Sequence, residues 1–125
     1  MDKNRPILLI DDDDHIKILL EHYVEDLPVT LNYNSNAYDA FENLSNEFYE
    51  LIVLDLSMPY MSGLEFLKRL RNKKIYDDIP VIVLTSRSDK STVLRLAQLN
   101  VQAYMLKPPQ REDFIDKVKK LLVLN

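Results

Sequence analysis

The chain has 125 residues, of which 46% are hydrophobic and 29% charged, with a formal net charge of −4, one glycine and no cysteine. That length suits one compact domain with one core, and the apolar fraction excludes a disordered chain. The missing cysteines exclude disulfides, thiolate metal sites and cysteine nucleophiles. The acidic balance argues against direct nucleic-acid binding, and no apolar run approaches the ~20 residues that span a bilayer. No charged-then-apolar leader stands at the N-terminus, so a soluble, cytoplasmic protein is expected.

In chain order, Ile7 to Ile10 is a short continuous apolar run, the pattern of a strand buried on both faces. The acidic run Asp11 to Asp14 follows it directly. From Asp14, residues Ile16, Leu19, Leu20, Tyr23, Val24 and Leu27 fall at helical spacing as far as Pro28, and Asp13 or Asp14 can cap this helix. Val29 to Tyr33 alternates apolar and polar residues, as a strand near a sheet edge does. Asn34-Ser35-Asn36 starts a helix whose apolar stripe is Ala37, Phe41 and Leu44, extended to Phe48.

Leu51 to Leu54 is the next buried strand, and it ends in Asp55. Beyond the Pro59 to Gly63 loop, Leu64, Phe66, Leu67 and Leu70 mark a helix, which Asp77-Asp78 and Pro80 close off. Val81 to Leu84 is a strand ending in Thr85-Ser86, and a helix starting near Asp89 carries Val93, Leu94, Leu96, Ala97 and Leu99. Gln102 to Leu106 is the fifth strand, ending in Lys107-Pro108-Pro109, and Phe114, Ile115, Val118, Leu121 and Leu122 form the apolar side of a last helix. His15 and His22 lack partners in this pattern and read as surface residues. The basic stretch Lys68 to Lys74 reads as a solvated helix face. With one glycine available, positive φ angles are expected to fall on Asn or Asp.

Strand and helix alternate five times, which implies one α/β domain over residues 1–125, a parallel sheet with right-handed crossovers and helices on both faces. A parallel sheet delivers all its strand ends to one rim. Here that rim collects Asp11, Asp12, Asp55, Thr85 and Lys107. Three neighbouring carboxylates resist joint ionisation unless a cation compensates. Magnesium takes oxygen ligands, commonly one or two carboxylates with phosphate oxygens, whereas no His or Cys cluster offers a zinc site. An aspartate can act as a nucleophile and form an aspartyl phosphate. The transferred group spreads its charge over three oxygens, which a metal, the Lys107 ammonium and the Thr85 hydroxyl can share. The residues therefore point to a magnesium-dependent phosphoryl acceptor at Asp55, and Lys107-Pro108 is a candidate cis bond that would aim the lysine.

Five motifs at these strand ends resemble, over essentially the whole chain, the receiver domain of two-component response regulators of the chemotaxis-regulator type. They are Asp11-Asp12 after the first strand, Asp55-Leu56-Ser57-Met58-Pro59 with Gly63, Leu84-Thr85-Ser86, Tyr104, and Lys107-Pro108. The resemblance implies a flavodoxin-like, doubly wound five-stranded sheet of order 2-1-3-4-5. It implies that Asp55 is the phosphorylation site and that Mg2+ is held by Asp11, Asp12, Asp55 and the backbone carbonyl of Ser57. Thr85 becomes the switch hydroxyl, Tyr104 the coupled switch aromatic, and Lys107 the phosphoryl contact, before a cis bond to Pro108.

The implied partners are a sensor histidine kinase or phosphotransfer protein as donor and a downstream protein or fused effector as reader. A homodimer through the face of the fourth helix, fifth strand and fifth helix is also implied. Such a domain is a signalling phospho-acceptor rather than an enzyme, with self-phosphorylation from small phosphodonors and slow self-dephosphorylation. Three departures from the pattern stand out: Asn100-Val101 replaces the usual Gly-Ala, Pro109 replaces a common Phe, and Ser57 and Arg87 occupy the positions that tune acyl-phosphate lifetime.

Plainer readings stand beside these. Asp13 and Asp14 read as caps or solvated charges, and Tyr104 equally suits ordinary strand packing. Leu94, Leu96, Tyr104 and Phe114 form either a partner face or simply core. Two other functions compete with the phosphoryl acceptor: a phosphorylation-independent interaction module, and an aspartyl-nucleophile hydrolase. The second is weakened because Ser57, not an aspartate, lies two residues after Asp55.

Overall fold

Each apolar run becomes a strand because it is covered on both faces. In the computed structural model, which describes residues 4–86 and 89–124, the strands are β1 (Arg5–Ile10), β2 (Val29–Asn34), β3 (Leu51–Asp55), β4 (Val81–Thr85) and β5 (Ala103–Leu106). They alternate with α1 (Asp14–Tyr23), α2 (Ala37–Asn46), α3 (Gly63–Arg71), α4 (Lys90–Gln98) and α5 (Arg111–Leu122). A 3-10 turn at Lys74–Tyr76, which the sequence pattern did not suggest, links α3 to β4. The sheet is parallel throughout, in the order β2-β1-β3-β4-β5. This is the flavodoxin-like arrangement, with the alternating strand β2 at an edge as expected.

Side chains along each strand alternate between two apolar layers. Leu8, Ile10, Ile52, Leu54, Val81 and Val83 face α2, α3 and α4 through Leu44, Phe66, Leu67, Leu70 and Leu96. Ile7, Leu9, Leu51, Val53, Ile82 and Leu84 face α1 and α5 through Ile16, Leu20, Phe114 and Val118. All of these strand residues are fully buried, and each buried aliphatic side chain contributes about 1.5–3 kcal/mol. The central strands are thus fixed from both sides, and their C-terminal ends inherit that rigidity.

Local signals start the helices. Asp13, Asn36, Ser62 and Asp89 each accept a hydrogen bond from a first-turn N–H of α1, α2, α3 and α4. Asp13 rather than Asp14 caps α1, and Asp14 is its first residue. That helix stops at Tyr23, short of Pro28, and a turn closed by Leu27 N–H donating to Val24 O leads into β2.

Several expectations need correction. Phe48 lies beyond α2 and is 78% exposed, while Tyr49 takes the buried place at 3%. Arg71 leaves the solvated basic face, because its guanidinium donates to the carbonyls of Leu99, Tyr76 and Asn100 at 2.9, 2.8 and 2.8 Å. Positive φ occurs at Asn100 (58°), as expected, but also at Tyr60 (70°) and Val123 (57°). The proposed four-residue face is not one surface, since Leu96 and Phe114 belong to opposite core layers. Of the four, Leu94 is exposed and Tyr104 is half-buried.

Gly63 serves close approach, not a positive φ. A Cβ there would overlap the Asp55 carbonyl oxygen and lie 2.7 Å from Leu56 Cα, while the Gly63 N–H donates to Leu56 O at 2.9 Å. The start of α3 is thereby pressed onto the end of β3. Gly63→Ala is expected to lower stability by about 2–4 kcal/mol in urea denaturation, as overpacking against backbone does. A variant as stable as the parent protein contradicts this account of the β3–α3 junction.

Candidate metal site at the carboxyl edge

Strand register alone assembles the rim. Ile10 pairs with Leu54, Asp55 with Leu84, and Thr85 with Leu106. The residues just beyond those pairs, Asp11, Asp55, Thr85 and Lys107, therefore emerge along one edge. Backbone bonds tie the neighbours together: Asp11 N–H donates to Asn34 O at 3.1 Å and Lys107 N–H to Thr85 O at 3.0 Å. The Lys107-Pro108 peptide is cis, as anticipated.

Carboxylate oxygens of Asp11, Asp12 and Asp55 all lie within 4.8 Å of one another. Asp11 and Asp55 are buried and Asp12 is exposed. Each buried carboxylate is held by a backbone N–H two residues on: Asp13 N–H donates to Asp11 Oδ1 at 2.9 Å, and Ser57 N–H to Asp55 Oδ1 at 3.3 Å. The Lys107 ammonium lies 2.9 Å from Asp11 Oδ2 and 3.6 Å from Asp55 Oδ2. That approach is an ion pair without hydrogen-bond direction, and the buried Asp11 Oδ2 accepts no hydrogen bond among the described residues.

One ammonium faces three carboxylates, and protonation equilibria register the excess. Burial pushes the Asp55 carboxyl up to about 6, the Asp11 charge adds to the rise, and Lys107 offsets part of it. Asp11 is also raised, by burial first, against the pull of Lys107 and the Asp13 N–H. Lys107 is pulled down by burial, but Asp11 and Asp55 outweigh that and leave it raised. A hard cation relieves such a set. The donors are all oxygens, they already converge, and one buried oxygen lacks a hydrogen bond, so Asp11, Asp12 and Asp55 fit a metal ion.

Thr85 ends β4 fully buried beside Asp55, and Ser57 is exposed in the loop after it. Tyr104 is half-buried in β5 on the α4 side of the sheet, opposite Val83. His15 and His22 are surface residues that lie against Asp13 and Glu25, and neither joins the metal-ligand group among the described residues. Arg87 lies outside the described residues. Sequence reasoning missed the double role of Asp13, whose side chain caps α1 while its N–H holds Asp11. It also missed Tyr33, whose hydroxyl donates to Asp14 Oδ1 at 3.3 Å. The end of β1 at Ile10, immediately before the acidic run, was the available signal for Asp13, and no sequence signal marks the Tyr33 contact.

The model of the response regulator receiver domain family matches residues 7–119. The chain is 31% identical over 116 residues to the transcriptional regulatory protein SrrA of Staphylococcus aureus, covering 93% of this chain and 47% of that protein. The chain thus spans about half the length of the curated relatives it matches. A signal receiver domain of a signal transduction histidine kinase from Syntrophus aciditrophicus superposes with a TM-score of 0.86 at 28% identity, covering 95% of this chain and 90% of that one. A CheY-like response regulator receiver domain protein from Methanospirillum hungatei shares the fold with a TM-score of 0.88 at 24% identity, covering 97% and 95% of the two chains.

The raised Asp55 carboxyl fixes a pH dependence. Its affinity for a proton is higher in the fold than in the unfolded chain, so its contribution to stability is full below the ordinary carboxylate value of 3.8 and is lost as pH rises through about 6. In EDTA at pH 7.5, Asp55→Asn is therefore expected to be more stable than the parent by about 1–3 kcal/mol, with the difference shrinking toward pH 4. Urea denaturation at the two pH values checks this, and a pH-independent difference contradicts it.

Proposed function

Because the chain belongs to the response regulator receiver domain family, we propose that Asp55 accepts a phosphoryl group and that residues 1–125 act as one receiver domain. Receiver domains are signalling modules rather than classical enzymes. The observation that carries the reading is the convergence of Asp11, Asp12 and Asp55 within 4.8 Å, with the Lys107 ammonium 3.6 Å from Asp55. A carboxylate nucleophile needs its own charge and that of the incoming group compensated, and this rim supplies both means.

In this reading Asp11, Asp12 and Asp55, with the Ser57 backbone carbonyl, would hold Mg2+, which would supply positive charge to offset the carboxylates and the incoming phosphoryl group. An Asp55 carboxylate oxygen forms the new bond to phosphorus as the bond to the donor's histidine nitrogen breaks, and the electron pair leaves with that nitrogen. Lys107 then redistributes its charge from the Asp11–Asp55 pair toward a phosphoryl oxygen. The Thr85 hydroxyl, adjacent on β4, donates to another oxygen, and Tyr104 follows as the aromatic coupled to that movement. The event biases two packings of one rigid domain.

The donor is a sensor histidine kinase or phosphotransfer protein in the cytoplasm, and the reader is a downstream protein or fused effector. The face of α4, β5 and α5 suits reading or homodimerisation, because Leu94 and Leu106 are more than half exposed there. Among the described residues no helix is long and apolar enough to cross a membrane.

Incubation with Mg2+ and a small acyl-phosphate donor is expected to phosphorylate the parent protein and not Asp55→Asn. Equal labelling of the two sinks the assignment. Mg2+ is expected to raise the melting temperature of the parent by several degrees and that of Asp12→Ala by less than half as much. An identical shift in both places the ion elsewhere.

A further inference from the structure

Lys107 must be held in place by its loop, and that loop has few means of its own. Pro108 and Pro109 lack backbone N–H groups, so neither can donate a hydrogen bond. The cap position of α5, Gln110, makes no side-chain capping bond, unlike the caps of the other four α-helices. On the α5 side of Lys107, Pro109 is buried, and its carbonyl oxygen accepts a hydrogen bond from the Tyr23 hydroxyl at 2.9 Å. Tyr23 is the last residue of α1, 86 positions away in sequence, and its ring packs on Phe114 of α5 with centroids 6.3 Å apart. On the other side of Lys107, its N–H is bound to Thr85 O at 3.0 Å.

The segment is thus pinned at two points that bracket the lysine. One is backbone to β4, and the other is the phenol of α1. We propose that Tyr23 is a positioning residue for Lys107: by holding the Pro109 carbonyl it sets where the ammonium stands relative to Asp55. The ammonium is already 2.9 Å from Asp11 and 3.6 Å from Asp55, so a shift of about 1 Å in the loop changes which carboxylate it serves, and misplacements of that size are felt strongly in charge-stabilising sites. Tyr23 touches no reacting atom. Its kinetic consequence rests on the reading of Asp55 as phosphoryl acceptor.

Tyr23→Phe removes the hydroxyl and keeps the ring on Phe114, which separates positioning from packing. The probe is beryllofluoride with saturating Mg2+, followed by 19F NMR in the parent, Tyr23→Phe, Lys107→Ala and the double variant. A second arm follows amide hydrogen exchange at Lys107 in the absence of both ligands. Tyr23→Phe is expected to weaken beryllofluoride binding three- to tenfold in the parent background and to have no further effect beside Lys107→Ala, as residues acting through one another do. It is expected to speed exchange of the Lys107 amide at least fivefold, with β3 amides unchanged.

An equal loss in both backgrounds marks a general structural role and overturns the proposal. Unaltered exchange at Lys107 overturns it as well, whatever beryllofluoride does. Failure of the parent protein to bind beryllofluoride refutes instead the phosphoryl-acceptor reading, and the exchange arm still decides the role of Tyr23.

Discussion

The structure depends on a charge imbalance held in a fixed place: three carboxylates and one ammonium at the carboxyl edge of a sheet buried on both faces. Left to themselves, Asp11, Asp12 and Asp55 would separate or protonate. They cannot separate, because β1 and β3 are adjacent, parallel and in register through Ile10 and Leu54, and the crowding shows instead as a raised proton affinity of Asp11 and Asp55. Both strands are locked between two apolar layers. The repulsion is imposed by packing, and a bound cation relieves it.

Distance explains the residue types. Neighbouring strands lie ~4.8 Å apart, so β5, two strands from β3, delivers its end roughly 10 Å from Asp55. A long flexible side chain can bridge that gap, and Lys107 does so with a compact charge able to move between acceptors. Thr85, one strand from Asp55, needs only a short reach. Backbone N–H groups from Asp13 and Ser57 fix the carboxylates, and Gly63 lets α3 close over the end of β3 without a side chain in the way. The added charge of a phosphoryl group would thus be felt through Thr85 at the end of β4 and Lys107 just after β5, the strands bordering α4 and α5.

Much of this was legible in the sequence, for reasons tied to particular residues. Ile7 to Ile10, Leu51 to Leu54 and Val81 to Leu84 are apolar at every position because both faces are covered, so strand ends and the rim beyond them could be located. Where two residues offer the same chemistry, sequence cannot choose: Asp13 and Asp14 both suit a cap, and only backbone geometry selects Asp13. Phe48 and Tyr49 are neighbours of similar size, and burial of Tyr49 follows from where α2 ends, with its hydroxyl meeting Asn32. Tyr60 and Val123 adopt positive φ against their own preference, so no local signal marks them. The Leu99 and Asn100 carbonyls that Arg71 binds, just after α4, approach it only in three dimensions.

Asp55, and no other carboxylate of the cluster, is the proposed carrier of the phosphoryl group. The most direct measurement is reduction of the phosphorylated protein with borohydride, which converts an aspartyl phosphate to homoserine, followed by mass-spectrometric mapping. Homoserine is expected at position 55 alone, dependent on Mg2+ during labelling. Homoserine at Asp11 or Asp12, or none after labelling, contradicts that assignment.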